Sequence, residues 1–78
     1  MQSHELKTLL QGAFPGARID VDSPDDVHFQ AVIESESFAG KPTLARHRMV
    51  YAALGARMGG EVHALSLRTL TPSEAGNA

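Results

Sequence analysis

The sequence contains no cysteine and no tryptophan, and its aromatic residues are one tyrosine and three phenylalanines. Without cysteine, this chain can supply neither a disulfide nor a thiolate that acts as a ligand or a nucleophile. No apolar run approaches the roughly 18 residues that suggest a membrane span, and the first residues lack the features of a signal peptide. We therefore expect a cytoplasmic protein in which any chemistry that needs thiolate sulfur depends on a partner.

The chain of 78 residues is long enough for one small domain, which we place at residues 1–74, followed by a disordered tail at 75–78. A domain of this size buries only about 60% of the surface of its unfolded chain, so its stability margin is narrow. The sequence contains no nucleophile elbow or similar catalytic motif. We interpret the protein as a binding module and not as an enzyme.

Charge is distributed unevenly along the chain. Residues 1–40 contain seven acidic and two basic side chains, whereas residues 41–70 contain five basic side chains and one acidic one. A basic face over residues 41–68, with Lys41, Arg46, Arg48 and Arg68, could attract phosphates or an acidic protein surface. The net charge of −2 and the pI near 6.0 argue against strong non-specific DNA binding.

The hydrophobic pattern predicts the element order α-β-β-α-β. Leu6, Leu9, Leu10 and Ala13 have helical spacing, and alternation predicts strands over 17–22 and 27–35 that are joined by a turn at 23–26. The main helix opens at 40–43 and is expected to stop at Gly59 or Gly60. The predicted apolar stripe of this helix is Leu44, His47, Tyr51, Leu54 and Met58, and it is widened by Val50 and Ala53.

The last predicted strand covers residues 62–70. Its connection to the second strand through a helix implies parallel pairing, whereas the short turn after the first strand implies an antiparallel hairpin. We therefore predict an α+β fold with two layers, in which helices cover one face of a three-stranded mixed sheet. Residues 71–74 form either a one-turn helix with a capping box or part of a frayed tail.

His63 is the strongest candidate for a functional residue, because it follows a glycine turn and stands at the start of the last strand. Neutral imidazole is the commonest metal ligand in proteins and titrates near neutral pH. Four segments of the sequence resemble the BolA family: His28-Phe29, residues 34–41, the Arg46-His47-Arg48-Met49-Val50-Tyr51 segment, and residues 63–72. The resemblance implies a fold similar to the class II KH domain.

The resemblance also implies a function. BolA-like proteins associate with monothiol glutaredoxins, and many share a [2Fe–2S] cluster to which the glutaredoxin and its glutathione contribute thiolates. The BolA-type partner contributes a histidine at the position of His63, in iron–sulfur trafficking or iron sensing. The resemblance implies a second ligand in the loop between the first two strands, where many relatives have Cys or His. Here the corresponding position in the 23–26 turn is Asp25, and His28 at the start of the next strand is the alternative. The alternative function is that of a DNA-binding transcriptional regulator that uses the basic face, and alone the protein is expected to be a monomer or a weak homodimer.

Overall fold

The computed structural model describes residues 1–57 and 64–76. Its regular elements follow the predicted order, including the short last helix that was one of two predicted alternatives. They are helix α1 (Ser3–Ala13), strands β1 (Arg18–Asp22) and β2 (His28–Glu34), helix α2 (Thr43–Leu54), strand β3 (Ala64–Leu70) and helix α3 (Pro72–Gly76). Short 3₁₀ turns occupy Glu36–Phe38 and Gly55–Arg57. None of the helices within the described residues has the length and apolar character needed to cross a bilayer.

The three strands form one mixed sheet in the order β1-β2-β3. β1 pairs with β2 in the antiparallel direction, and β2 pairs with β3 in parallel, with His28 opposite Ala64. The predicted α+β class and the mixed sheet are therefore confirmed. β1 starts one residue later than expected, and β2 is one residue shorter at each end.

The core lies between the sheet and the helices. Phe29, Ala31 and Ile33 alternate along β2 on the covered face, and each is almost completely buried. The apolar side chains that pack with them come from every layer of the domain: Leu6, Leu10, Phe14, Ile19, Phe38, Val50 and Leu54. Each large side chain buried in this way contributes about 1.5–3 kcal/mol relative to exposure, so the helices are held on one face of the sheet.

Helix α2 buries part of the predicted face, since Val50 and Leu54 are buried as expected, together with Arg46, which was not predicted to be buried. Its buried residues are Arg46, Val50 and Leu54, which also have helical spacing. Leu44 is 62% exposed and Tyr51 is 39% exposed, so the predicted buried stripe is wrong at these two positions. The reason is that a charged residue, Arg46, occupies an inward position that a hydrophobic pattern assigns to the surface.

The end of α2 also differs from the prediction. Gly55 follows the last helical residue with φ 57 and ψ −130, a conformation that is open to glycine and unfavourable for residues with a Cβ atom. The helix therefore ends at Leu54 and not at Gly59 or Gly60. Met58 and the two predicted stop glycines lie outside the described residues, as does the first part of the predicted 62–70 strand.

The segment after β3 forms a short helix, as one of the two sequence alternatives predicted. The Thr71 N–H donates to the Glu74 carboxylate at 2.8 Å, and the Glu74 N–H donates to the Thr71 hydroxyl at 3.2 Å. This reciprocal pair is a capping box. Ala75 and Gly76 continue helix α3, so the predicted disordered tail starts too early.

Candidate functional site

The loop between β1 and β2 holds Asp25 and His28 together. One carboxylate oxygen of Asp25 accepts hydrogen bonds from the backbone N–H groups of Val27 at 3.0 Å and His28 at 2.9 Å. The other oxygen lies 2.8 Å from the His28 Nδ1. The Ser23 hydroxyl closes the loop, because it donates to the His28 carbonyl at 2.6 Å and accepts from the Asp26 N–H at 2.9 Å. We call Asp25 and His28 the Asp–His dyad.

The dyad fixes the chemical state of its carboxylate. Hydrogen bonds from the His28 backbone N–H, the His28 ring and the Val27 N–H lower the pKa of Asp25 from 3.8 to about 2. An ionised carboxylate can only accept hydrogen bonds, so the ring contact requires the hydrogen on Nδ1. The neutral imidazole then has its lone pair on Nε2, and the His28 side chain is 69% exposed. This arrangement, a carboxylate that orients a histidine, is common behind metal-binding imidazoles.

The sheet places the dyad at a defined end of the molecule. His28 is the first residue of β2 and lies opposite Ala64, the first described residue of β3. In the sequence, Ala64 directly follows His63, which was identified from the sequence as the strongest candidate for a functional residue. His63 itself lies outside the described residues. The predicted alternatives for the second ligand, Asp25 and His28, are thus found in direct contact with each other.

The side chains near the Asp–His dyad determine which metal ion or cluster could bind there. Within residues 1–57 and 64–76, no three histidine or acidic side chains lie close enough together to hold a metal ion. The full sequence has no cysteine. An oriented imidazole fits an iron–sulfur cluster of the kind that takes histidine on one iron, provided that another molecule contributes the thiolates.

Arg46, one of four predicted nucleic-acid contacts, is directed into the protein. Its Nε donates to the Lys41 carbonyl at 2.7 Å, and its two terminal nitrogens bind the two oxygens of Glu74 at 2.6 and 3.1 Å. A further bond reaches the Thr69 carbonyl at 3.2 Å, and the guanidinium lies 5.9 Å from the centre of the Phe38 ring. Arg46 is 9% exposed. The prediction that it contacts phosphate is therefore corrected, because these contacts already occupy the guanidinium.

The other predicted basic residues do not form one face. Lys41 precedes α2 and Arg48 lies on its exposed side. Arg68 is opposite Val32 in the sheet, and it alternates with Leu67 and Thr69, which lie on the covered side. Arg68 therefore points to the face of the sheet without α1 and α2. The basic surface predicted over residues 41–68 is divided between two sides of the molecule.

Two features of these surfaces were not predicted from the sequence. Glu74 was identified only as part of a capping box, although its carboxylate also binds Arg46. Tyr51 was assigned to the core, although it is partly exposed next to His47. No local pattern in the sequence could have found the first feature, because Glu74 lies 28 residues after Arg46.

Comparison with known proteins gives a consistent assignment. The model of the family described as BolA-like protein matches residues 7–74. The DNA-binding transcriptional regulator BolA of Escherichia coli (strain K12) is 40% identical over 57 residues, which cover 73% of this chain and 54% of that protein. The chain spans about half, or less, of the length of several curated relatives that it matches.

Solved structures extend the likeness to nearly the whole fold. A bolA protein homologue from Coxiella burnetii has a TM-score of 0.87 and 38% identity, with 97% of each chain covered. The BolA domain of SufE1 from Arabidopsis thaliana has a TM-score of 0.83 and 26% identity, and the match covers 92% of this chain and 93% of that one. Because the family model matches most of the sequence and the fold agrees, the chain belongs to the BolA family.

Proposed function

We propose that this protein is a BolA-type adaptor that binds a monothiol glutaredoxin and shares a [2Fe–2S] cluster with it. The observation that carries the proposal is the Asp–His dyad, in which an ionised carboxylate fixes the ring of an exposed histidine. Such a side chain is prepared to donate an Nε2 lone pair at little entropic cost. His28 stands next to the strand that follows His63 in the sequence.

In this proposal, His63 and His28 are the ligands from this chain, and Asp25 positions His28. The glutaredoxin and its glutathione contribute the thiolates that a cysteine-free chain lacks. Imidazole ligands in place of thiolates raise the reduction potential of such a cluster and make its binding sensitive to protonation. Asp25 is the less suitable ligand, because its two oxygens already accept three hydrogen bonds and carboxylates suit iron beside sulfide less well than imidazole does.

The test is to mix the purified protein with a cluster-loaded monothiol glutaredoxin and record visible absorption and circular dichroism. We expect a new cluster spectrum that is lost in His63→Ala and strongly weakened in His28→Ala. His47→Ala is the matched control, because His47 lies on the outer side of α2, next to Tyr51, and not at this end of the sheet. An unchanged spectrum in both the His63 and His28 variants contradicts the ligand assignment, and no spectral change with the wild-type protein contradicts the adaptor function.

A second candidate function, regulation by DNA binding, is favoured by the name of the Escherichia coli relative. In this chain, Arg46 is internally paired, and Arg68 faces away from α2, so few cations are left on any one side. We therefore expect weak binding to duplex DNA, with a non-specific Kd of about 10⁻⁴–10⁻⁶ M and a steep fall with salt. A nanomolar, sequence-specific complex at physiological salt that Lys41→Ala and Arg48→Ala together abolish would favour the regulator over the adaptor.

A further inference from the structure

The exposed apolar side chains of the described residues are concentrated on two surfaces. Three large hydrophobic residues are exposed in residues 1–57 and 64–76, namely Leu44, Tyr51 and Val27, and the exposed fraction of Val27 is 38%. Leu44 and Tyr51 lie on α2, whereas Val27 lies in the loop before β2. Contiguous exposed apolar patches with a polar rim commonly mark sites of protein contact.

The first surface is the outward side of α2. His47 and Arg48 lie three and four residues after Leu44, and Tyr51 lies four and three residues after them, which places the four on one side of a helix. The His47 and Tyr51 rings are 6.4 Å apart and meet edge to face at 71°, so they support each other. We call these four residues the α2 outer stripe. Aromatic and arginine side chains of this kind dominate the energy of many protein interfaces.

The second surface is the tip of the β1–β2 loop. Asp26 and Val27 are both exposed at this tip, next to Asp25. The backbone there is held by the Ser23 and Asp25 hydrogen bonds, and Asp26 adopts a positive φ of 59. The tip is therefore a rigid, acidic projection with one apolar side chain. A rigid projection loses little conformational entropy when it docks.

The two surfaces have opposite charge. The sequence has no acidic residue from 37 to 60, the segment that contains α2, and no lysine or arginine from 19 to 40, the segment that contains the loop. Residues 41–54 contain three basic side chains, Lys41, Arg46 and Arg48. Glu74 neutralises Arg46, so Lys41 and Arg48 are the exposed cations of this segment. Opposite potentials on two surfaces favour their encounter and set their orientation.

From this complementarity we infer that the α2 outer stripe binds the β1–β2 loop tip of a second copy of this chain. In the contact, Val27 packs on Leu44 and Tyr51, and Asp26 lies against Arg48. A second copy fits better than nucleic acid, because phosphates offer nothing to an exposed leucine and two cations release few counterions. The contact is small, so the association is weak and transient.

If the protein is the proposed adaptor, this contact affects how it binds its partner. The loop tip that docks on α2 includes the neighbours of His28, so the self-associated form covers the end of the sheet proposed to bind the cluster. Self-association and glutaredoxin binding then compete. The self-association itself is tested without the partner, so its failure and a failure of the proposed function remain distinguishable.

The test is sedimentation of the full chain over a range of protein and salt concentrations. At about 0.01 M salt, where charges interact over about 30 Å, we expect the average mass to rise above the monomer value, and at about 1 M salt to return to it. The monomer mass is 8.3 kDa. A mass that stays at the monomer value under all conditions overturns the inference.

Charge reversal identifies the surfaces. We expect Arg48→Glu and Asp26→Lys each to weaken self-association by about tenfold or more, because like charges then face each other, and an equimolar mixture of the two to restore it. Arg68→Glu and Asp20→Lys are matched controls with the same charge changes on the other face of the sheet. Asp26→Asn is a second loop variant, since asparagine tolerates a positive φ. Equal losses in the controls, or a mixture that stays monomeric, overturn the assignment of these surfaces.

Discussion

Arg46 and Glu74 are the pair of residues on which the C-terminal part of the fold most depends. The guanidinium binds both carboxylate oxygens, and the same carboxylate caps α3 by accepting from the Thr71 N–H. The contact with Arg46, and then that with Thr71, lowers the pKa of Glu74 from 4.5 to about 2, while the pKa of Arg46 is raised by Glu74. One carboxylate therefore joins α3 to α2 across 28 residues of sequence.

The pKa of Glu74 leads to a pH-dependent prediction. A carboxyl whose pKa is lower in the folded state stabilises the fold above its ordinary pKa and loses that effect as the pH falls. We expect Glu74→Gln to lower the unfolding midpoint near pH 7 and the difference from the wild type to disappear between pH 4.5 and about 2. Chemical unfolding followed by circular dichroism at a series of pH values measures this. Asp22→Asn, a change at an exposed carboxylate at the end of β1, is the control. A difference for Glu74→Gln that does not change with pH contradicts the ion-pair explanation.

The position of Asp25 behind His28 predicts a change of tautomer. In Asp25→Asn, the side-chain oxygen can still accept from the Val27 and His28 N–H groups, but the amide nitrogen no longer accepts from Nδ1. We expect the His28 ring to lose its preference for the Nδ1–H form and its affinity for a shared cluster to fall by about 10- to 100-fold. Nitrogen-15 NMR of the ring in the free protein measures the tautomer. A ring that keeps the Nδ1–H form in the variant contradicts the orienting role of the carboxylate.

For single residues, the sequence indicated which side chains could have a function better than it indicated whether they are buried or exposed. Asp25 was named because relatives in the BolA family place a ligand in the loop between the first two strands, and His28 was named because it is a histidine at the start of the next strand. Arg46 was placed on the surface, because its burial depends on Glu74, a partner 28 residues away that no local pattern connects to it. A buried arginine is stable only with such a partner, so its environment follows from the tertiary structure.

Among the elements, α2 shows how a single glycine can set a helix end. Gly55 has φ 57 and ψ −130, which a residue with a Cβ atom adopts only with strain. We expect Gly55→Ala to destabilise the protein by about 1–2 kcal/mol, because Ala cannot take this conformation easily. Gly12→Ala is a suitable control, since Gly12 is helical and a Cβ atom there meets nothing within 4 Å. That change should be neutral or stabilising by up to about 1 kcal/mol. Equal effects at both positions in thermal unfolding contradict the role of Gly55.

The strands were predicted more accurately than the helix, for a physical reason. Alternation along β2 reports directly which side chains face the helices, and Phe29, Ala31 and Ile33 are indeed buried. A helix can bury either of two stripes, and α2 contains apolar residues on both sides. The stripe that is buried was decided by packing against the sheet and by the contacts of Arg46, and neither is visible in the spacing of apolar residues.

At the scale of the whole molecule, Phe38 joins parts of the chain that are distant in sequence. It belongs to the 3₁₀ turn between β2 and α2, its ring lies 5.5 Å from that of Phe14, and the Arg46 guanidinium stacks over it. The side chain is completely buried. Because it contacts the end of α1 and the start of α2 at once, its packing helps to hold the helical layer together over the sheet.

Truncation of this side chain is therefore expected to affect the stability of the entire domain. Phe38→Ala leaves a cavity in the core and should cost about 3–5 kcal/mol. That is a large part of the roughly 4–12 kcal/mol expected for a domain of this length, at about 0.05–0.15 kcal/mol per residue. Leu44→Ala, on the exposed side of α2, should change the free energy of unfolding by no more than about 0.5 kcal/mol. Urea unfolding measures the free energy of unfolding of both variants. A decrease for Leu44→Ala close to that for Phe38→Ala would show that Leu44 is packed in the core. That result would contradict the exposed position of the α2 outer stripe.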